Sequence, residues 1–182
     1  MSKIALTPNA SGTGVFTIAS PATSTDRTLT LPDEAGTIAL AQSLSYVRLN
    51  TANGYGSTNT KIRRFTNVVN NVGSDITYAD SATLGGTFTI NTAGVYSISY
   101  SDQFVGTNSV GLSINSTQLS TAIGSIAAAD ILSVSVCAFA NNPTVASATF
   151  FASIGAVVRA HGDGIASGSG VATCQLTIAR VA

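Results

Sequence analysis

The chain has 182 residues, with eight basic and eight acidic side chains that leave no formal net charge. Only 9% of its residues are charged, against about 25% in ordinary soluble domains. That argues against nucleic-acid binding, which needs a basic field, and leaves little like-charge repulsion to hold copies apart, so burial of surface in an oligomer or larger assembly is expected.

The opening residues, MSKIALTPNASGTG, contain one lysine and no apolar run of signal-peptide length, so a secretory signal is not expected. Residues 1–43 hold three of the four prolines, Pro8, Pro21 and Pro32, around two short alternating pieces at 15–18 and 28–31. Proline confines such pieces to sheet edges or extended arms. The segment cannot bury a core of its own and reads as an arm that becomes ordered against a neighbouring subunit or a larger particle.

From Tyr46 onward, strand-sized segments are punctuated by glycine, serine or asparagine, and helical periodicity is absent. Candidate strands cover 46–49, 62–69, 76–78, 88–90, 96–104, 110–115, 132–139, 148–151, 157–161 and 171–181. Within them, Lys61, Arg63 and Arg64 alternate with Ile62 and Phe65 and read as a solvated strand face rather than a phosphate site. Residues 86–104 carry the clearest pattern. Phe88 and Ile90 alternate with threonines; after the turn Asn91-Thr92-Ala93-Gly94, Tyr96, Ile98, Tyr100 and Phe104 alternate with Ser97, Ser99, Ser101 and Gln103. A period of two on both sides of a glycine turn predicts two paired, half-buried strands. Their large side chains share one face, which belongs to a core or to a subunit interface. A tight turn is expected at 115–117. Residues 122–140 are apolar enough to suggest a membrane span, but Asp130 and the alternation after Leu132 favour a strand behind a small-residue loop, so no membrane insertion is expected. The regular final strand should be central and held on both sides. The expected fold is all-β, a two-sheet antiparallel jelly-roll sandwich at 44–182 preceded by an extended N-terminal β arm at 1–43.

No catalytic constellation is legible. The lone histidine, His161, stands two residues from Asp163 beside a Gly/Ser loop, where a solvated or hydrogen-bonded imidazole is the ordinary case. Asp75, Asp80, Asp102, Asp130 and Asp163 are scattered singly, with neither the carboxylate pair of an acid–base site nor the dense acidic loop of a calcium site. No cofactor, metal or catalytic residue is expected. Cys137 and Cys174 sit far apart, each in an apolar strand-like run, and two cysteines allow either a disulfide or a pair of buried free thiols.

Two resemblances follow from particular residues. The F-x-I-x-x-x-G-V-Y pattern from Phe88 to Tyr96, the turn near Ile114-Asn115-Ser116, and the closing strands around Val157-Val158-Arg159 and Gln175 to Ile178 resemble the jelly roll shared by the globular head of complement and tumour necrosis factor. In that family a Gly-Asp turn often precedes the closing strands, where this chain has Gly155-Ala156. The resemblance implies a compact homotrimer with Phe88, Tyr96, Ile98, Tyr100 and Phe104 about the threefold axis. The phrase FTIASPATSTDRTLTLPDEAGTI at 16–38 resembles the N-terminal attachment segment of structural proteins of tailed bacteriophages, placed ahead of variable modules. It implies particle attachment through Phe16, Ile18, Arg27, Leu29 and Leu31.

Together these imply a non-enzymatic virion protein on the outer surface of a particle, made in the bacterial host cytoplasm. It would be a trimeric capsid decoration, cement or head-fibre protein whose partner is the major capsid protein or another virion component. The lack of any shaft, repeat or coiled coil favours this over a tail fibre. The alternative is a tail-fibre or tail-tip module whose loops at 50–60 and 162–170 bind a host-surface glycan or protein.

Overall fold

A computed structural model describes residues 11, 22, 24–26, 44–52, 56–104, 106–139, 142–163 and 171–182. The chain divides into two compact units, 1–39 and 40–182. Almost all described residues belong to the second. The expected arm strands at 15–18 and 28–31 lie outside the described residues.

The second unit contains ten strands: β1 (Tyr46–Asn50), β2 (Asn67–Val72), β3 (Ile76–Ala79), β4 (Thr87–Ile90), β5 (Gly94–Gln103), β6 (Asn108–Ile114), β7 (Ile131–Cys137), β8 (Pro143–Ala152), β9 (Val157–Gly162) and β10 (Gln175–Arg180). They form two five-stranded antiparallel sheets, β2-β1-β10-β5-β8 and β3-β4-β9-β6-β7. β10 lies between β1 and β5, the central position expected for the final strand.

The two strands flanking Gly94 do not pair. β4 bonds to β3 and β9 in the second sheet, while β5 bonds to β10 and β8 in the first. Alternation says which face of a strand is buried, not which strand lies beside it, so a crossing between sheets has the same sequence signature as a hairpin. The crossing is tight. A Cβ on Gly94 would meet the Ala182 carbonyl and approach the Arg180 Nε to 2.7 Å, which accounts for the glycine in the F-x-I-x-x-x-G-V-Y pattern. Asp75 accepts from Thr92 Oγ1 at 2.7 Å and from Arg180 Nη1 at 3.4 Å, and Tyr96 donates its hydroxyl to the Thr92 carbonyl at 2.6 Å. The turn is thereby tied to both sheets.

The expected strand at 62–69 is divided. Gly56–Arg63 and Ile62–His161 are isolated bridges, and β2 starts only at Asn67. The solvated-face reading of Lys61 to Phe65 is corrected as well, because Ile62, Arg63 and Phe65 are buried. Phe65 packs edge-on to Tyr100, with centroids 5.9 Å apart, and lies 6.4 Å from Phe88. It therefore joins an aromatic of each sheet across the interior. β8 begins five residues before the expected segment at 148–151, and its first residue is Pro143, which a strand on the sheet edge tolerates because no outer neighbour needs its N–H.

Between β6 and β7 the chain turns at Asn115 (φ 55°). It then runs as a strap, residues 115–130, with two single 3-10 turns at Ile123–Ser125 and Ala128–Asp130. Ile123 and Ile126 of the strap are buried. Among the described residues no helix is long and apolar enough to cross a membrane.

Candidate functional site

The even-numbered face of β5 points inward. Tyr96, Ile98, Tyr100 and Phe104 are fully buried within one protomer, opposite Phe88 of the second sheet. The five residues expected at a threefold axis are therefore core residues. Their surface is consumed between the sheets, and the choice between core and interface falls to core. Each such side chain contributes roughly 1.5–3 kcal/mol by leaving water. An interface between copies has to be built from other residues.

The odd-numbered face of the same strand is the side that the core leaves outside. Antiparallel register aligns Ser97 with Ala179 of β10 and Thr149 of β8, Ser99 with Thr177 and Ser147, and Ser101 with Gln175 and Val145. β1 extends these rows, with Tyr46 opposite Ala179 and Arg48 opposite Thr177. At one end the rows become apolar. Val95 pairs with Phe151 and its carbonyl accepts from the Val181 amide at 2.8 Å; Phe151 is 66% and Val181 57% exposed. Arg48 is the one charged side chain on this outer face, which is made of the even-numbered positions of β1 and the odd-numbered positions of β5, β8 and β10, and it donates to Gln175 Oε1 at 3.1 Å.

A solvated sheet face commonly carries lysine and glutamate, which also deter unwanted association. Depletion of charge is characteristic of the centre of a protein–protein interface, and short side chains let a second surface approach a sheet closely. The signal was present in the sequence as Ser97, Ser99 and Ser101. Alternation marks the buried side of β5 and says nothing of what its other side meets.

Inside the sandwich lies a polar cluster that sequence reasoning missed. Arg63 donates from Nε to Asp102 Oδ2 at 2.6 Å, and Tyr100 donates its hydroxyl to the same oxygen at 2.8 Å. The guanidinium lies over the Phe104 ring, 5.4 Å from its centroid. Burial opposes the Arg63 charge, but Tyr100, Asp102 and Cys174 beside it more than offset this and hold its pKa above the ordinary value. Burial, followed by the Asp102 charge, pushes the Tyr100 hydroxyl well up. The same two causes push the Cys174 thiol up to about 12. A thiol so unwilling to ionise is not a nucleophile. Both cysteines are free and buried, which resolves the alternatives in favour of thiols.

His161 is hydrogen-bonded rather than solvated. It is fully buried beneath the strap, with Nε2 2.8 Å from Ser113 Oγ. Burial, then the Arg159 charge, pushes its pKa down to about 4. Among the described residues no group of three or more His, Cys, Asp or Glu side chains is placed to hold a metal. The attachment candidates Phe16, Ile18, Arg27, Leu29 and Leu31 lie outside the described residues, as do parts of the two candidate recognition loops, 53–55 and 164–170.

No family model and no curated protein sequence matches the chain. Solved structures do. Crystal structures of murine APRIL at pH 8.0, 8.5 and 5.0 superpose with TM-scores of 0.54, 0.56 and 0.52. Sequence identities are 14%, 15% and 14%, and each comparison covers 76% of this chain and 99% of the other. The fold is the tumour-necrosis-factor-like jelly roll. At such identities the likeness extends to the fold alone, and it agrees with the two-sheet sandwich read from the alternation.

Proposed function

We propose that the chain is a non-enzymatic structural protein of a tailed-phage virion, a capsid decoration, cement or head-fibre protein. Its jelly-roll knob associates as a homotrimer through the outer face of β1, β10, β5 and β8, and its N-terminal arm, residues 1–43, docks on the major capsid protein or another virion component. The observation that carries the assembly half is the uncharged face of Ser97, Ser99, Thr149 and Thr177, bordered by Val95 and Phe151. A face of this composition gains by meeting another surface and offers nothing to catalysis. The virion half rests on the resemblance of residues 16–38 to phage attachment segments. Three arms on one knob would hold a particle with an avidity that a single arm lacks.

The test is co-sedimentation of the full chain, and of a chain lacking residues 1–43, with particles stripped of the protein, alongside light-scattering mass of each. Trimeric mass for both chains with particle binding only by the full chain is the expected result. Equal binding by the two would remove the arm from the attachment role. Saturable binding of the armless knob to host cells, without particle binding by either chain, would favour the tail-tip alternative.

A further inference from the structure

We propose that the strap, residues 115–130, is latched over the outer face of the second sheet by uncharged His161, and that charging this histidine opens the strap while the sandwich stays folded. The contact is built from both sides. His161 on β9 pairs with Gly111 on β6, and a Cβ at Gly111 would collide with Ile123 of the strap. Ile123 thus rests directly on the sheet backbone beside the position of the imidazole. The strap's first residue is fixed to β9, where Asn115 exchanges hydrogen bonds with the Val157 backbone at 2.8 Å; beyond it Asp163 accepts from the Ile123 amide at 3.2 Å, Arg159 Nη1 donates to the Ser116 carbonyl at 3.1 Å, the Lys61 amide donates to the Leu119 carbonyl at 2.8 Å and Ser120 Oγ donates to the Asn59 carbonyl at 2.8 Å.

The surroundings suit a neutral ring and no other. Nε2 meets the Ser113 hydroxyl, while Nδ1 is buried with no hydrogen-bond partner among the described residues. A proton added to the ring would therefore bring a charge and a donor into a site that has no acceptor for it. The ionisable groups of the elements packed around it are Arg159 and Asp163 at the two sides of His161 in the chain, and Lys61 and Arg63 on the segment bridged to it. β6 has none, and the strap has only Asp130 at its far end. Arg159 repels an imidazolium and Lys61 is a second like charge, while the Arg63 charge is already held by Asp102. Asp163 is the exception, and its carboxylate is engaged with the Ile123 amide. Burial raises its pKa, so acid neutralises Asp163 and weakens the one attraction available to the charged ring. Opening relieves the ring by admitting water, and the buried strap side chains it exposes are Ser116, Ile123 and Ile126, none of them in the inner core of the sandwich.

The experiment is an NMR titration of the full chain from pH 7.5 to 3.5. It follows the His161 imidazole carbon, the Ile123 and Ile126 methyls, and amide exchange protection corrected for intrinsic pH dependence. Expected are strap methyl shifts that share the imidazole midpoint, and a loss of protection at Ile123 of about tenfold or more while β5 amides keep theirs. In His161→Gln, whose amide can bond Ser113 without ever charging, the strap should remain closed over the same range. The proposal is overturned if the imidazole titrates with the strap methyls unmoved, or if His161→Gln opens at the wild-type pH. It is also overturned if β5 loses protection together with the strap. Should His161→Gln fail to fold, the wild-type titration still decides between these outcomes.

Discussion

Arg63 and Asp102 meet inside the sandwich through a 2.6 Å hydrogen bond from the guanidinium Nε to Oδ2, with 3% and none of their side chains exposed. The two residues come from an irregular segment before β2 and from the end of β5, and Tyr100 shares the carboxylate. Taking two charges from water costs about as much as their attraction returns, so such a pair contributes little net stability, whereas a lone survivor is heavily penalised. Asp102→Ala should accordingly cost about 3–5 kcal/mol. The triple variant Arg63→Met, Tyr100→Phe, Asp102→Leu, which removes both charges and the hydroxyl and leaves only the Cys174 thiol and the Gln103 amide of the cluster, should lose much less, about 1–2 kcal/mol. Urea unfolding midpoints measure both. A triple variant as unstable as the single one would mean that the pair stabilises the fold outright.

The His161 pKa gives a stability profile with a definite sign. The folded value, about 4, lies below the ordinary 6.5, so as pH falls the unfolded chain takes up the proton first. Stability is complete above pH 6.5, declines between 6.5 and 4, and levels off below. The full loss is about 3 kcal/mol. Asp163 works in the opposite direction, because burial raises its pKa and acid therefore favours its folded state. Comparing unfolding free energies of wild type and His161→Gln at each pH isolates the histidine. The difference between them should grow toward acid, and a constant difference would show that the ring does not carry the dependence.

Cys174 tests the interior from another side. Its thiol is fully buried and pushed up to about 12, so a thiolate-directed reagent at pH 8 should leave it unlabelled in the folded protein. Cys137 is also buried, its Sγ 2.9 Å from the Phe139 carbonyl oxygen. Mass spectrometry should find labelling only after denaturant is added. Reductant should change neither mass nor unfolding midpoint, since neither cysteine is paired.

How much of this was legible in the sequence depends on range. The two-residue period marked β4, β5 and β10 and placed Tyr96, Ile98 and Tyr100 on a single face, because burial of alternate residues is written locally. Partner choice was not, so Phe88 and Tyr96 looked like neighbours in a hairpin although they belong to facing sheets. Residues 61–65 were misread for a related reason. Alternating charge and hydrophobe describes a solvated face unless a distant carboxylate receives the charge, and Asp102, which does so, is 39 positions away. The hydrogen bond of His161 agrees with one of the two ordinary cases, but its burial was not legible, because the strap that covers it is a loop of small residues with no periodicity to announce packing. The face proposed for assembly is visible in the sequence as serines but carries no label. A hydroxyl-rich strand face looks the same whether it meets water or a second copy, and only register across β1, β10, β5 and β8 makes it continuous.

That continuity separates two classes of substitution on the same strand. Ser99 stands near the middle of the outer face between Thr177 and Ser147, and its side chain is exposed in the protomer, so Ser99→Arg adds a charge without disturbing the core. Tyr100, one residue on, is buried. Under the trimer reading, Ser99→Arg should yield a soluble, folded monomer with the thermal midpoint of the isolated protomer, because a desolvated unpaired charge at an interface centre costs several kcal/mol. Tyr100→Arg should instead give insoluble or unfolded protein, since the charge would fall between the sheets. Phe151→Glu, at the apolar margin, should weaken association without abolishing it, as rim residues usually carry less of the binding energy than central ones. Sedimentation equilibrium and circular dichroism distinguish the three. An intact trimer in Ser99→Arg would place the assembly surface elsewhere on the sandwich, with the edge strand β7 of the second sheet, where Val134 and Val136 are exposed, the next to mutate.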